Sequence, residues 1–172
     1  MSADSLHTIE LISKGEAFLR IGDTCNKIGQ LNKGVMRGVV LDIDGNEITT
    51  HFYQEGDLII GGFLPEVNMT YTIEALEDCE IESANYAEVM SQVNTDPHIT
   101  TVINAAFQKL NKHLHSRLVS LLNLGSVQKY EMFIDDYPGL VNRIPHYYIA
   151  QYLGITPTQL SRARKEFIQK LI

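Results

Sequence analysis

The sequence predicts an α+β chain: an all-β first half, then one long helix, then a short basic pair of helices. Three observations predict this order. Glycines recur at turn spacing through Gly56, an apolar stripe of helical period begins near Ile99, and a Gly-Ile-Thr-Pro turn joins two helical patterns between Ile144 and Phe167.

The β half rests on "KGEAFLRIGD", "NKGVMRGVVLDIDGNEITTHFYQEGD" and "TYTIEALEDCEIESA", which alternate apolar and polar residues over short runs. Turn signals fall at Gly15, Gly22, Gly34, Asp44-Gly45 and Gly56, the punctuation of a compact barrel or sandwich. "VVLDIDGNEITTHF" is the clearest hairpin, its β-rich arms flanking Asp44-Gly45.

Charge divides the chain the same way. Residues 1–95 carry 5 Lys and Arg against 16 Asp and Glu, whereas residues 96–172 carry 9 against 5. From Gly139 onward there are five bases and one acid, so a polyanionic partner is expected to meet the second half. Cys25 and Cys79 are too few and too isolated for a disulfide framework or a metal knuckle, which suits a reducing cytoplasm. No apolar run reaches the roughly 20 residues that span a bilayer, and the opening residues lack a secretory pattern, so no membrane partner is expected. An enzyme on a β-barrel would need clustered His and carboxylates on neighbouring strands. The first half offers only His7 and His51, so no enzyme is expected.

Asp96-Pro97 supplies a cap and a first-turn proline for the long helix, and Leu124-Gly125 a stop. Ile99, Ile103, Ala106, Leu110, Leu114, Leu118 or Val119, and Leu121 form one apolar stripe over about six turns. That stripe buries either against the chain's own β half or against the same helix of a second copy; the second is favoured. His113 and His115, two apart on a helix, point in different directions and do not share a metal.

The last segment carries the chemistry. "PHYYIAQYL" and "TPTQLSRARKEFIQKLI" read as two helices, the second capped by Thr156 with Pro157 at its first position. Leu160, Ala163, Phe167 and Leu171 form the expected buried face of the second helix. Ala150 falls where the helices cross, and Gly154 falls where the turn needs a left-handed backbone. Ile149, Leu153, Ile155, Leu160 and Ala163 fall on interior positions. This spacing is that of a helix-turn-helix, whose second helix enters the DNA major groove. Thr158, Gln159, Ser161, Arg162 and Lys165 then point outward. Arg162 suits guanine O6 and N7, and Gln159 suits adenine N6 and N7. Thr158, Ser161, Arg164 and Lys165 suit phosphates.

Taken together, "KGEAFLRIGDTCNKIGQLNKGVMR", "DGNEITTHFYQEGDLI" and "YYIAQYLGITPTQLSRARK" make nearly the whole chain resemble the Crp/Fnr family of transcription regulators. The resemblance implies a cyclic-nucleotide-binding-like β-roll (a double-stranded β-helix) over 1–95, a long dimerisation helix over 96–124 and a helix-turn-helix over 125–172. No wing hairpin follows within this sequence, which implies fewer phosphate contacts. Double-stranded DNA is the implied partner, bound by a homodimer formed through the Ile99–Leu121 helix, with RNA polymerase and an unidentified small-molecule effector as further implied partners. A dimeric interaction module that no longer reads DNA is the alternative.

The departures concern the effector. Family members that bind cyclic nucleotides hold the ribose with a glutamate and the phosphate with an arginine. Aligned on Gly56-Asp57, this chain has Gly61 and Met69 at those positions, within a cassette that also holds Gly62, Glu66 and Asn68. No Lys or Arg occurs between Arg37 and Lys109. A phosphate without a cation in a partly buried pocket is expensive, so cAMP is not expected as a cofactor. Two cysteines cannot supply the ligands of an iron–sulfur centre, and His51 alone on a strand is a weak haem ligand. Pro157 and Thr158 stand where the best-known member has Arg and Glu, so its target sequence does not carry over.

Overall fold

The computed structural model describes residues 7–61 and 67–170. Two compact units divide between Lys109 and Leu110, inside the long helix.

In the first unit the described residues form eight strands: β1 (His7–Ile12), β2 (Ala17–Leu19), β3 (Lys27–Lys33), β4 (Met36–Leu41), β5 (Glu47–Tyr53), β6 (Leu58–Ile59), β7 (Thr72–Ala75) and β8 (Cys79–Asn85). They pair antiparallel into two sheets, ordered β1-β8-β3-β6 and β2-β7-β4-β5. Alternation places Phe18, Leu31, Met36, Ile59, Ile73 and Ile81 in the shared core, all nearly inaccessible. Gly29 leaves room for the core: a Cβ there would overlap Ile81 of the neighbouring strand and sit 3.0 Å from the Phe18 ring of the opposite sheet. The β4–β5 hairpin turns through Gly45 at φ 81°, with Asp42 Oδ1 accepting from the Asp44 and Asn46 amides at 2.9 and 2.8 Å. Turn, strand pattern and sheet content agree with the sequence expectation of a β-roll.

The structure adds α1 (Tyr86–Gln92), a helix that the sequence reading did not anticipate, whose Asn85 cap accepts from the Glu88 amide at 3.1 Å. Next comes α2 (Pro97–Asn123), capped by Asp96, which accepts from the His98 and Ile99 amides. The apolar stripe on α2 proves to be two surfaces. Ile103 is buried, and Ile99, Ala106 and Phe107 pack on the β-roll core. Leu114, Leu118, Leu121 and Leu122 are exposed. The expected dimer face therefore cannot include Ile99 and Ile103, whose surface already covers the chain's own β-roll.

The second unit continues from the later part of α2 into α3 (Ser126–Asp136), a short 3-10 turn (Leu140–Asn142), α4 (His146–Leu153) and α5 (Pro157–Lys170). The expected irregularity at Pro138-Gly139 separates α3 from the 3-10 turn, with Gly139 at φ 79°. Phe133, Tyr137, Leu140, Ile149, Leu153, Leu160 and Ala163 form its core. No helix among the described residues is long and apolar enough to cross a membrane.

Candidate nucleic-acid interface and effector cassette

The turn between α4 and α5 is built from the residues that the sequence singled out. Gly154 takes φ 62° and ψ 37°, and its amide donates to the Ala150 and Gln151 carbonyls while the Ile155 amide donates to Ala150 at 3.0 Å. These bonds satisfy carbonyls that the end of α4 leaves open. A Cβ on Gly154 would also sit 2.9 Å from the Leu121 side chain, so position 154 is constrained by conformation and by space. Ala150, Ile149, Leu153, Leu160 and Ala163 are buried as expected, Ile155 partly so and Phe167 partly, edge-on to Tyr130; Leu171 lies outside the described residues.

On α5, Thr158, Gln159, Ser161, Arg162 and Lys165 are all exposed on the outward face. The side chain of Arg162 makes no hydrogen bond or ion pair among the described residues, leaving its guanidinium available. Two residues of the expected set are engaged instead. Gln159 Oε1 accepts from the Thr156 amide at 2.8 Å while Thr156 Oγ1 accepts from the Gln159 amide at 3.2 Å, a reciprocal capping box. Bidentate contact with adenine needs that same oxygen, so reading by Gln159 would require the cap to open. Arg164 donates to the imidazole of His146 at 2.9 Å, bracing α5 against the start of α4.

Beside Arg162 lies a hollow of about 350 Å3 between α5 and the start of α3, bordered by Ser126, Gln128, Gln159 and Lys170. The positive end of α3, Arg162 and Lys170 converge on it, with Glu166 opposing them. Glu166 and Lys170 are 3.9 Å apart and both exposed, a pair worth little against a polyanion.

A polar cluster joins α2 to this bundle. Arg117 Nε donates to the Tyr152 carbonyl at 2.9 Å and its guanidinium lies 4.8 Å from the Tyr152 ring centre. Tyr137 OH meets His113 Nδ1 at 3.1 Å and hydrogen-bonds the Tyr152 hydroxyl. Burial pushes the Tyr152 phenol up, while Tyr137 and the Arg117 charge pull it down less.

In the β-roll, Gly62 and Glu66 lie outside the described residues, and Gly61, Asn68 and Met69 lie within them. Residues 67–69 run antiparallel to 22–25: the Gly22 amide donates to Met69 O, Met69 to Asp23 O and Cys25 to Val67 O. Asn68 bridges Thr24 and is exposed. Met69 turns inward and is buried, its thioether filling the space beside Gly61, so that a Cβ there would overlap Sδ and sit 2.8 Å from Cε. Next to it burial pushes the Cys25 thiol and the Tyr71 phenol up from their ordinary values. His51 is buried edge-on to Tyr53 and Tyr71, with Nδ1 2.8 Å from Thr50 Oγ1. Arg37, the last cation before Lys109, is committed elsewhere: it donates to Glu74 at 2.7 Å, to Thr49 at 3.0 Å and to Glu47. Lys109 pairs with Asp57.

A β-roll, a long helix and a helix-turn-helix in this order define the architecture of Crp/Fnr-type regulators. The chain belongs to the family of the cyclic nucleotide-binding domain, whose model matches residues 9–96. Its fold is similar to that of FixK2 from Bradyrhizobium japonicum, with a TM-score of 0.84 at 18% identity over 97% of this chain and 87% of that one. The c-di-GMP-responsive global regulator CLP of Xanthomonas campestris matches at 0.73 and 14%, over 96% and 88%. A CRP-family transcriptional regulator from Thermus thermophilus matches at 0.71 and 17%, over 94% and 85%. No curated protein matches the chain in sequence.

Proposed function

We propose that the protein is a dimeric, sequence-specific DNA-binding transcription regulator, not an enzyme, and that it does not use cAMP in the usual way. The observation that carries the reading is the outward face of α5. Arg162 stands there unengaged among exposed Thr158, Ser161 and Lys165, on a helix whose other face is locked to α4 through Gly154. Arg162 would read a base edge, and Thr158, Ser161 and Lys165 would hold phosphates. Arg164 reaches a phosphate only by leaving His146. The hollow at the start of α3 would take a further phosphate on backbone amides. Likeness of fold to the global regulator CLP and to the CRP-family transcriptional regulator of Thermus thermophilus supports the class.

Dimerisation follows from the later part of α2. Leu114 and Leu121 lie seven residues apart, and Asn111 and Leu118 fall three before each, giving alternating spacings of three and four. This is coiled-coil spacing, and an asparagine at an a position favours a paired, in-register helix over larger assemblies. A second copy would cover Leu114, Leu118 and Leu121.

The effector reading rests on Met69. A thioether would stand at the position where a nucleotide phosphate needs an arginine, and the flanking cations in the sequence, Arg37 and Lys109, are already paired. Any effector taken by this cassette would be uncharged or carry its charge elsewhere; RNA polymerase contact is a further expectation of the regulator class. A mobility-shift assay with genomic fragments tests the function. Retarded bands that weaken steeply with salt are expected; their absence at every sequence overturns DNA reading and leaves a dimeric interaction module. Calorimetry with cAMP should show no saturable heat.

A further inference from the structure

We infer that Arg117 is a positioning residue: it locks α4 onto the long helix and so sets the angle at which α5 is presented to DNA. The inference rests on the DNA reading proposed above, and it concerns a residue that would never touch the nucleic acid.

The end of α4 exposes carbonyls that need donors. Gly154 and Ile155 serve those of Ala150 and Gln151, and the Tyr152 carbonyl is served from α2 by Arg117 Nε at 2.9 Å. The same guanidinium faces the Tyr152 ring at 4.8 Å and sits at the negative end of the α4 dipole. One turn earlier on α2, His113 holds Tyr137, which holds the Tyr152 hydroxyl. Tyr152 is thus gripped at its carbonyl, ring face and hydroxyl by groups spaced i, i+4 on one helix or relayed through Tyr137. Only a planar fork makes the first two contacts together; a lysine ammonium is a point charge without that geometry. Because α4 and α5 share the rigid Gly154 turn, fixing α4 fixes α5. Because α2 also carries the proposed dimer seam, Arg117 would set the separation of the two reading helices, and with it the preferred half-site spacing.

The test compares the full chain with Arg117→Met and Arg117→Lys. On duplexes whose two half-sites are moved apart base pair by base pair, the parent should show one preferred spacing. Both variants should lose about tenfold or more at that spacing and show a flattened profile, while affinity for random duplex and its salt slope stay unchanged. A parent-like spacing profile, or an equal loss on random and specific duplex, overturns the inference. A second readout needs no DNA. Spin labels at Lys112→Cys and Gln169→Cys should give one narrow distance distribution in the parent and a broadened one in both variants. Should the parent bind no DNA, the DNA reading fails, and a broadened distribution still supports the clamp while an unchanged one removes it. If Arg117→Met does not fold, Arg117→Lys decides alone: a narrow, parent-like distribution overturns the inference.

Discussion

Met69 occupies the space that a side chain on residue 61 would need: a Cβ there would overlap its Sδ and sit 3.0 Å from Cys25 Sγ. The two residues make one apolar contact inside the β-roll. Gly61→Ala should therefore cost about 1–2 kcal/mol in urea unfolding, since the flexible end of Met69 can yield only within a packed core. Met69→Ala alone should cost about 2–4 kcal/mol. The double variant should cost less than the sum by at least about 0.5 kcal/mol, because each change relieves the other. Strict additivity would show that the two side chains do not compete for this space.

Arg37 is the only cation among the most deeply buried side chains of the described residues, and Glu74, Glu47 and Thr49 share its guanidinium. Arg37→Ala should destabilise the chain by about 3 kcal/mol, the lower end for a broken buried pair, because Glu47 is half exposed and can rehydrate. Arg37→Lys should recover little of this, since one ammonium cannot span three acceptors. Equilibrium unfolding measures both.

Arg162 and Gln159 look equivalent in sequence and are not equivalent in structure. Arg162→Ala should lose about 1–3 kcal/mol of discrimination between specific and random duplex. Gln159→Ala should leave sequence preference unchanged and lower stability, as should Thr156→Ala, by about 1 kcal/mol each through loss of the capping box. If Gln159→Ala relaxes specificity as far as Arg162→Ala does, the cap opens on DNA and the amide reads a base.

Much of this was legible in the residues. Turn glycines, alternation and the Gly154 hairpin are local signals, and each reports its own backbone. The lack of Lys and Arg between Arg37 and Lys109 is a fact of the sequence itself. Apolar period, by contrast, says that a face is covered and never by what, so the α2 stripe could not be divided between its own β-roll and a partner. Seven-residue α1 is shorter than the windows over which helical period is measurable. Thr156-x-x-Gln159 is itself a capping signature, but Gln159 also fits a reading position, and the sequence alone does not choose between the two. The contacts of Arg164 with His146 and of Arg117 with Tyr152 join residues 18 and 35 apart, and only the tertiary crossing creates them.

Cys79 gives the chain a pH dependence whose sign can be worked out. Burial pushes its thiol up to about 11, opposed by a backbone hydrogen bond with Val35 and assisted by nearby carboxylates. In an unfolded chain a thiol ionises near pH 8.5. Below that pH both states hold the proton and the contribution to stability is complete. Above it the unfolded state releases the proton while the folded state keeps it, so stability falls as pH rises until the folded thiol also ionises near 11. Tyr86, pushed up to about 12 by burial, acts in the same direction at higher pH. Urea unfolding at pH 7 and pH 10 should show a loss for the parent of which Cys79 supplies on the order of 1–2 kcal/mol. Cys79→Ser cannot titrate in this range, and its loss should be smaller by that amount. Parallel losses in parent and variant would mean that the buried thiol does not carry the alkaline instability.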